Sequence, residues 1–197
     1  MKRNDIIIEV DELKGKLNDP NIRIFDAQIN FFPKEGEPTA HEAYQNKHIP
    51  GAVFLNHDRV SVKDAKYMFT VLPEAELAKA IGDMGISNDN EVIVYSSGML
   101  ATATRAFWAL RYAGHNNVRI LNGGLTAWEA ANGDVESGDN TYEPTTFTLQ
   151  LRQDMFVGLD DVQMAQDDET VNTSYALPLG AMYDDKMIPN SVCIPAT

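Results

Sequence analysis

The feature that most limits what this 197-residue chain can fold into is a repeat that runs in order and then stops. Val10-Asp11-Glu12-Leu13 recurs as Leu159-Asp160-Asp161-Val162, and Ile22–Ala27 lines up with Val171–Ala176 at the same offset. His48-Ile49-Pro50-Gly51-Ala52-Val53 then recurs as Met187-Ile188-Pro189-Asn190-Ser191-Val192. Any one match arises by chance; three in succession after a helix-then-strand unit read as a duplicated domain. Only Pro195, Ala196 and Thr197 follow Ile194 in the second copy, whereas more than half of the first copy follows the same point. The chain therefore reads as one domain over 1–145, a linker region over 146–157 and an incomplete second domain over 158–197. The polar stretch Asn132–Thr145, with Gly133, Gly138, Asp139, Asn140 and Pro144 and almost no apolar residues, itself reads as a linker closing the first.

Within the first copy, short apolar runs alternate with amphipathic stretches. Ile22–Phe25, Ala52–Leu55, Val92–Tyr95 and Val118–Leu121 are the strand candidates, each rich in Val, Ile or Phe. Asp11–Leu17, Ala40–Asn46, Glu74–Met84, Ala103–Ala113 and Leu125–Ala131 are the helix candidates, with Pro73-Glu74 as a start signal and Gly114 as a stop. Such alternation implies an α/β three-layer fold, a central and mainly parallel sheet covered on both faces. Val92–Tyr95 reads apolar without alternation, so it belongs at the sheet's centre.

Composition excludes several functions. The net charge is −13, and between Asp134 and Asp185 twelve acidic residues face one basic residue, Arg152. That field repels phosphate backbones, so no nucleic-acid partner is expected. It is also awkward for small anions, which would need a local positive site. No apolar run approaches a membrane span, and no membrane partner is expected. The N-terminus lacks an apolar signal segment, which makes the cytoplasm the expected compartment. One cysteine, Cys193, allows neither an internal disulfide nor a thiolate zinc site, so no metal and no cofactor are expected.

The motifs resemble the rhodanese family. His48-Ile49-Pro50-Gly51-Ala52 matches its "HIPGA" signature, Val92–Tyr95 and the small residues after it match the strand and active-site loop, and Asn122-Gly123-Gly124-Leu125 with Trp128 matches its closing element. The long insert before His48, and Leu72-Pro73 after Phe54, are similar to the tandem thiosulfate and 3-mercaptopyruvate sulfurtransferases. The resemblance implies a rhodanese-like fold, small anionic sulfur compounds as partners, and sulfane sulfur transfer to a thiophilic acceptor in complete members. A loop curled over the helix N-terminus turns N–H groups inward and adds partial positive charge, which lowers a thiol pKa and stabilises a persulfide. Members that catalyse carry cysteine directly after the strand; this chain carries Ser96, followed by Ser97, Gly98, Met99, Leu100, Ala101 and Thr102. Serine holds no persulfide, and tandem members normally pair a cysteine-less first domain with a catalytic second one. The loop is thus expected to be degenerate, with Ser96 and Ser97 as turn or capping residues.

Other positions are uneven. Asp58 follows the "HIPGAVF" strand, where tandem members often have an acidic residue facing the interdomain cleft, which makes it a substrate-lining candidate, while an aspartate after a strand more often caps or solvates. Thr70 stands where a histidine is common, and Thr173-Ser174-Tyr175 where the family's second domain carries "D-x-R". Cys193 lies opposite Phe54 in the repeat; it reads as a small apolar residue and, in a minority reading, as a sulfur acceptor. Phe107 and Trp108 read as core. Two rivals stand beside the sulfurtransferase-like reading: a degenerate module that binds a partner protein or small anion, and a minimal sulfurtransferase using Cys193. A phosphatase relative would need a Cys-x5-Arg loop, which is missing. About forty residues after Gly158 bury too little to fold alone. With Leu177, Leu179, Met182, Tyr183, Met187, Ile188 and Ile194 among them, docking or self-association through residues 158–197 is expected.

Overall fold

The structure, a computed structural model, describes residues 2–176 and 187–195; Leu177, Leu179, Met182 and Tyr183 lie outside them. The chain forms two compact units, Met1–Arg152 and Gln153–Thr197.

In the first unit five parallel strands run in the order β1-β5-β4-β2-β3: β1 Ile7–Ile8, β2 Ile22–Asp26, β3 Val53–Phe54, β4 Glu91–Tyr95 and β5 Val118–Leu121. β4 is central, as its unbroken apolar run requires, because both of its faces are covered. Val92 and Val94 face one core layer with Leu77 and Ile81 of α3 (Glu74–Asp83) and Ala103, Phe107 and Leu110 of α4 (Leu100–Tyr112). Ile93 and Tyr95 face the other, with Leu13 of α1 (Val10–Lys14) and Leu125 and Trp128 of α5 (Gly124–Ala130). A further helix, α2 (Ala40–Asn46), is started by Thr39, whose hydroxyl accepts the Glu42 N–H while the Glu42 carboxylate accepts the Thr39 N–H.

Three expectations are corrected. β1 escapes a sequence reading because two residues cannot show a period; its pairing with Ile120 and Leu121 of β5 makes it a strand. α4 begins at Leu100, not near Ala103, so Leu100–Thr102 are its first turn and the turn proper is Ser96–Met99. Trp108 is 42% exposed whereas Phe107 is buried, since neighbouring residues on a helix point about 100° apart.

The polar stretch after α5 is not a free linker as far as Arg152. Glu136 and His48 exchange both backbone hydrogen bonds at 3.0 Å, Tyr142 donates to the Gly51 carbonyl, and Phe147 is buried in the α3–α4 core. The Gln150 and Arg152 N–H groups then donate to the carbonyls of Ala113 and Tyr112. The strap is held by backbone pairs and by single side chains such as Tyr142 and Phe147, which composition does not reveal.

The second unit contains α6 (Leu159–Ala165) and two parallel strands, β6 (Ser174–Tyr175) and β7 (Val192–Cys193). Ser174 pairs Val192 and Tyr175 pairs Cys193, as Phe25 pairs Val53 and Asp26 pairs Phe54 in the first unit. The sequence repeat thus has the same strand register in both copies. Among the described residues no helix is long and apolar enough to cross a membrane.

Candidate functional site

The turn after β4 lies at the carboxyl edge of a parallel sheet, where neighbouring loops diverge and ligands are commonly held. Ser96 is 8% exposed and engaged inward. Its Oγ accepts the Gly98 N–H at 3.2 Å and lies 3.0 Å from Thr102 Oγ1. The Thr102 hydroxyl has one proton, and the Met99 carbonyl 2.9 Å away can only accept, so the bonds order as Ser96 to Thr102 to Met99. Ser96 is thus a turn residue. It does not cap α4, whose N-cap, Met99, makes no side-chain bond. Two of the amides expected to turn inward are already used, Gly98 N–H on Ser96 and Thr102 N–H on the Met99 carbonyl.

A residue that the sequence did not mark as functional completes the site. Asp26, wholly buried at the end of β2, accepts from the Gln28 N–H at 3.1 Å and lies 3.4 Å from Ser97 Oγ. Tyr95 also hydrogen-bonds it. Burial pushes its carboxyl up to about 6, so at neutral pH a buried negative charge stands behind the turn. The usable signal was an aspartate ending an otherwise apolar strand beside Tyr95.

Of the two cations on α4, Arg105 lies nearer the turn and is spent elsewhere. It donates to His57 Nδ1 at 3.2 Å, Ser61 Oγ at 2.8 Å and the Phe69 carbonyl at 3.2 Å, and its guanidinium lies 4.9 Å from the Phe69 ring centroid. Phe69, at φ +63°, is held by this contact in a conformation that bulky side chains avoid. Asp58 sits in the turn His57–Val60 and lines a separate hollow of about 450 Å³ with Lys63, Tyr67 and Phe69. Ser96 to Thr102 do not line that hollow, so Asp58 and the β4 turn do not share a pocket. Cys193 lies on β7 in the second unit, partly exposed.

Acid stability follows from three buried groups. His57 donates from Nε2 to the Ala27 carbonyl and accepts from Arg105 at Nδ1, which fixes it neutral; burial and the guanidinium hold it down to about 4. His115 is held down to about 4 by burial and Arg111, its Nδ1 taken by the Asn117 N–H and its buried Nε2 unpartnered. Between pH 6.5 and 4 the unfolded chain therefore binds two protons that the folded chain refuses, and stability falls as pH falls. Asp26 acts in reverse: the folded state takes its proton at about 6, so its penalty is present at neutral pH and relieved in acid. Each shift is worth roughly 3 kcal/mol, leaving a net acid loss of about that size. Urea midpoints should fall between about pH 7 and pH 4. Asp26→Asn should raise the midpoint at neutral pH, leave it unchanged near pH 4 and so steepen the profile; a flatter profile would contradict this assignment.

A three-layer α/β domain with a tight turn over a helix start at the sheet's carboxyl edge is the class that fold and site define. The family model for the rhodanese-like domain matches residues 9–131, and the chain belongs to the rhodanese family. It is 33% identical to 3-mercaptopyruvate sulfurtransferase of Escherichia coli K12 over 172 residues, 87% of this chain and 60% of that protein. Thiosulfate/3-mercaptopyruvate sulfurtransferase 2 of Arabidopsis thaliana is 29% identical over 188 residues, 85% of this chain and 54% of that protein. The solved structure of the 3-mercaptopyruvate sulfotransferase SseA from Escherichia coli superimposes with a TM-score of 0.85 at 29% identity, covering 96% of this chain and 74% of that one. The chain spans about half the length of the curated relatives it matches.

Proposed function

We propose that this chain is the non-catalytic first domain of a thiosulfate/3-mercaptopyruvate-type sulfurtransferase, joined to the opening part of a second domain. The observation that carries the reading is Ser96. A hydroxyl, hydrogen-bonded inward, occupies the position after β4 where sulfur transfer needs a thiolate. No basic side chain lines the cleft at this turn, and Arg105 of α4 is committed to His57, Ser61 and Phe69. The activity therefore depends on a cysteine this unit does not contain, and the unit acts as scaffold. Self-association through residues 158–197 belongs to the same reading, supported by the exposure of Leu159, Met164, Val192 and Ile194.

The test is thiocyanate formation from thiosulfate and cyanide, run beside pyruvate release from 3-mercaptopyruvate. The purified chain and its Cys193→Ala variant should both stay at the buffer blank. Turnover that survives Cys193→Ala would defeat the reading. Turnover lost with that substitution would instead make Cys193 the sulfur acceptor.

A further inference from the structure

The loop between the His57–Val60 turn and α3 is held as a finger. Its two ends pair, the Val62 N–H on the Thr70 carbonyl at 2.7 Å and the Leu72 N–H on the Val60 carbonyl at 3.3 Å. Arg105 bonds both Ser61 and Phe69 at its base, and Asp64 and Phe69 turn its corners at φ +57° and +63°. Tyr67 and Met68 at the tip are 67% and 75% exposed. Phe69 meets Phe31 edge-on at 5.9 Å, next to the exposed Phe32. Aromatic residues and Met left in water on a fixed loop are the material of a protein interface, already ordered before binding.

Cations without partners surround that tip. Among the described residues, the exposed Lys and Arg side chains that form no ion pair are Lys2, Arg59, Lys63 and Lys66; the other exposed ones, Arg3, Lys34, Lys47 and Lys79, are all paired. Residues 58–66 thus carry three cations against two carboxylates, Asp58 and Asp64, a net +1 in a chain of −13. The complement lies further along the sequence. Residues 153–176 hold six acidic residues and no basic one, and Leu159 and Met164 of α6 are exposed among them. Two copies of such a chain repel at a distance, but at 0.15 M salt the screening length is about 8 Å, so groups in contact decide.

We propose that this finger docks onto α6 and the acidic turn after it in a second copy of the chain. Leu159 and Met164 of one copy cover Tyr67 and Met68 of the other. Lys63 and Lys66 meet Asp160 and Asp167 at the rim, where charges set partner and register. In a two-fold pair each copy gives a finger and receives one, so the contact is made twice. The inference rests on the self-association proposed above and names the face that residues 158–197 meet.

The test uses the full chain at physiological salt. Sedimentation equilibrium at rising concentration should show a mass climbing above that of one chain. Lys63→Glu/Lys66→Glu should raise the dissociation constant at least about tenfold, and adding Asp160→Lys/Asp167→Lys to the same chain should restore it, since the swapped charges attract again. These four side chains are exposed and make no ion pair, so urea midpoints should hold. A second measurement needs no substitution. Carbodiimide, which joins a lysine amine to a carboxylate, applied to an equal mixture of ¹⁵N-labelled and unlabelled chain, should link Lys63 or Lys66 to Asp160 or Asp167 in mixed-isotope peptides. A single-chain mass at every concentration would overturn this inference and the self-association together. Association indifferent to Lys63→Glu/Lys66→Glu, or linked peptides of one isotope only, would overturn the docking face alone. None of these outcomes bears on the thiocyanate assay, which tests the sulfurtransferase reading.

Discussion

Replacing Gly124 with alanine is expected to destabilise the first unit by about 3–5 kcal/mol, the sum of backbone strain and overpacking. Gly124 opens α5 at φ +57°, where a side chain is strained, and a Cβ there would stand 2.2 Å from the Ser96 carbonyl oxygen. That oxygen belongs to backbone and also accepts the Leu125 N–H at 3.4 Å, so it cannot swing aside. Relief would require the turns after β4 and β5 to part, opening the sheet's carboxyl edge beneath the buried Leu125 and Trp128. A domain of this size has roughly 5–15 kcal/mol in hand, so the loss is a large share. The control is Gly36→Ala. Its φ of +82° is equally unfavourable, but nothing lies within 4 Å of its Cβ, so strain alone should cost about 1–2 kcal/mol. Urea denaturation of both variants separates the two contributions. Equal midpoints would show that the turns slide apart easily and that the Gly123-Gly124 pair does not lock them.

The parts of the fold that were legible in the sequence are those where one local cause decides. β4 is apolar on both faces, and only a central strand satisfies that; α2 ends at Asn46 and β5 spans Val118–Leu121, as read from composition. The repeat also carried real geometry, since Tyr175 and Cys193 pair in the register of Asp26 and Phe54. Where the reading went astray, contact rather than local preference decides. Leu100, Ala101 and Thr102 favour helix as well as loop; the Ser96–Thr102–Met99 hydrogen bonds place the turn before them. The strap to Arg152 reads as linker because its anchors are backbone pairs and isolated side chains such as Tyr142 and Phe147, which form no period. Asp26 was visible as a letter, but its burial against Tyr95, Gln28 and Ser97 depends on three separate segments meeting. The serine at position 96 was legible because the family resemblance fixes that position relative to β4.

That same position supplies the second large effect. Ser96→Cys, made in a Cys193→Ala background so that only one thiol reacts, is expected to give a thiol that ionises below its ordinary value near 8.5. The new sulfur would receive the Gly98 N–H, now 3.2 Å from Oγ, and lie beside Thr102 Oγ1 at the start of the 13-residue α4. Hydrogen bonds to a charged group contribute about 1.5–3 kcal/mol each, and the helix start adds up to about 2 kcal/mol. Opposing them are burial at 8% exposure and the ionised Asp26 behind Ser97. The donors act directly on the sulfur, whereas the carboxylate reaches it only through Ser97, so the donors should prevail. The pH profile of alkylation by iodoacetamide measures this, and adding Asp26→Asn should move the inflection lower still. An inflection above about 8.5 would mean that burial wins and that the turn does not favour an anion. Thiocyanate production should nonetheless stay at the blank, because thiosulfate would arrive facing Asp26 while Arg105 remains engaged with His57, Ser61 and Phe69. A reactive thiol without turnover would locate the deficit in substrate binding rather than in the nucleophile alone.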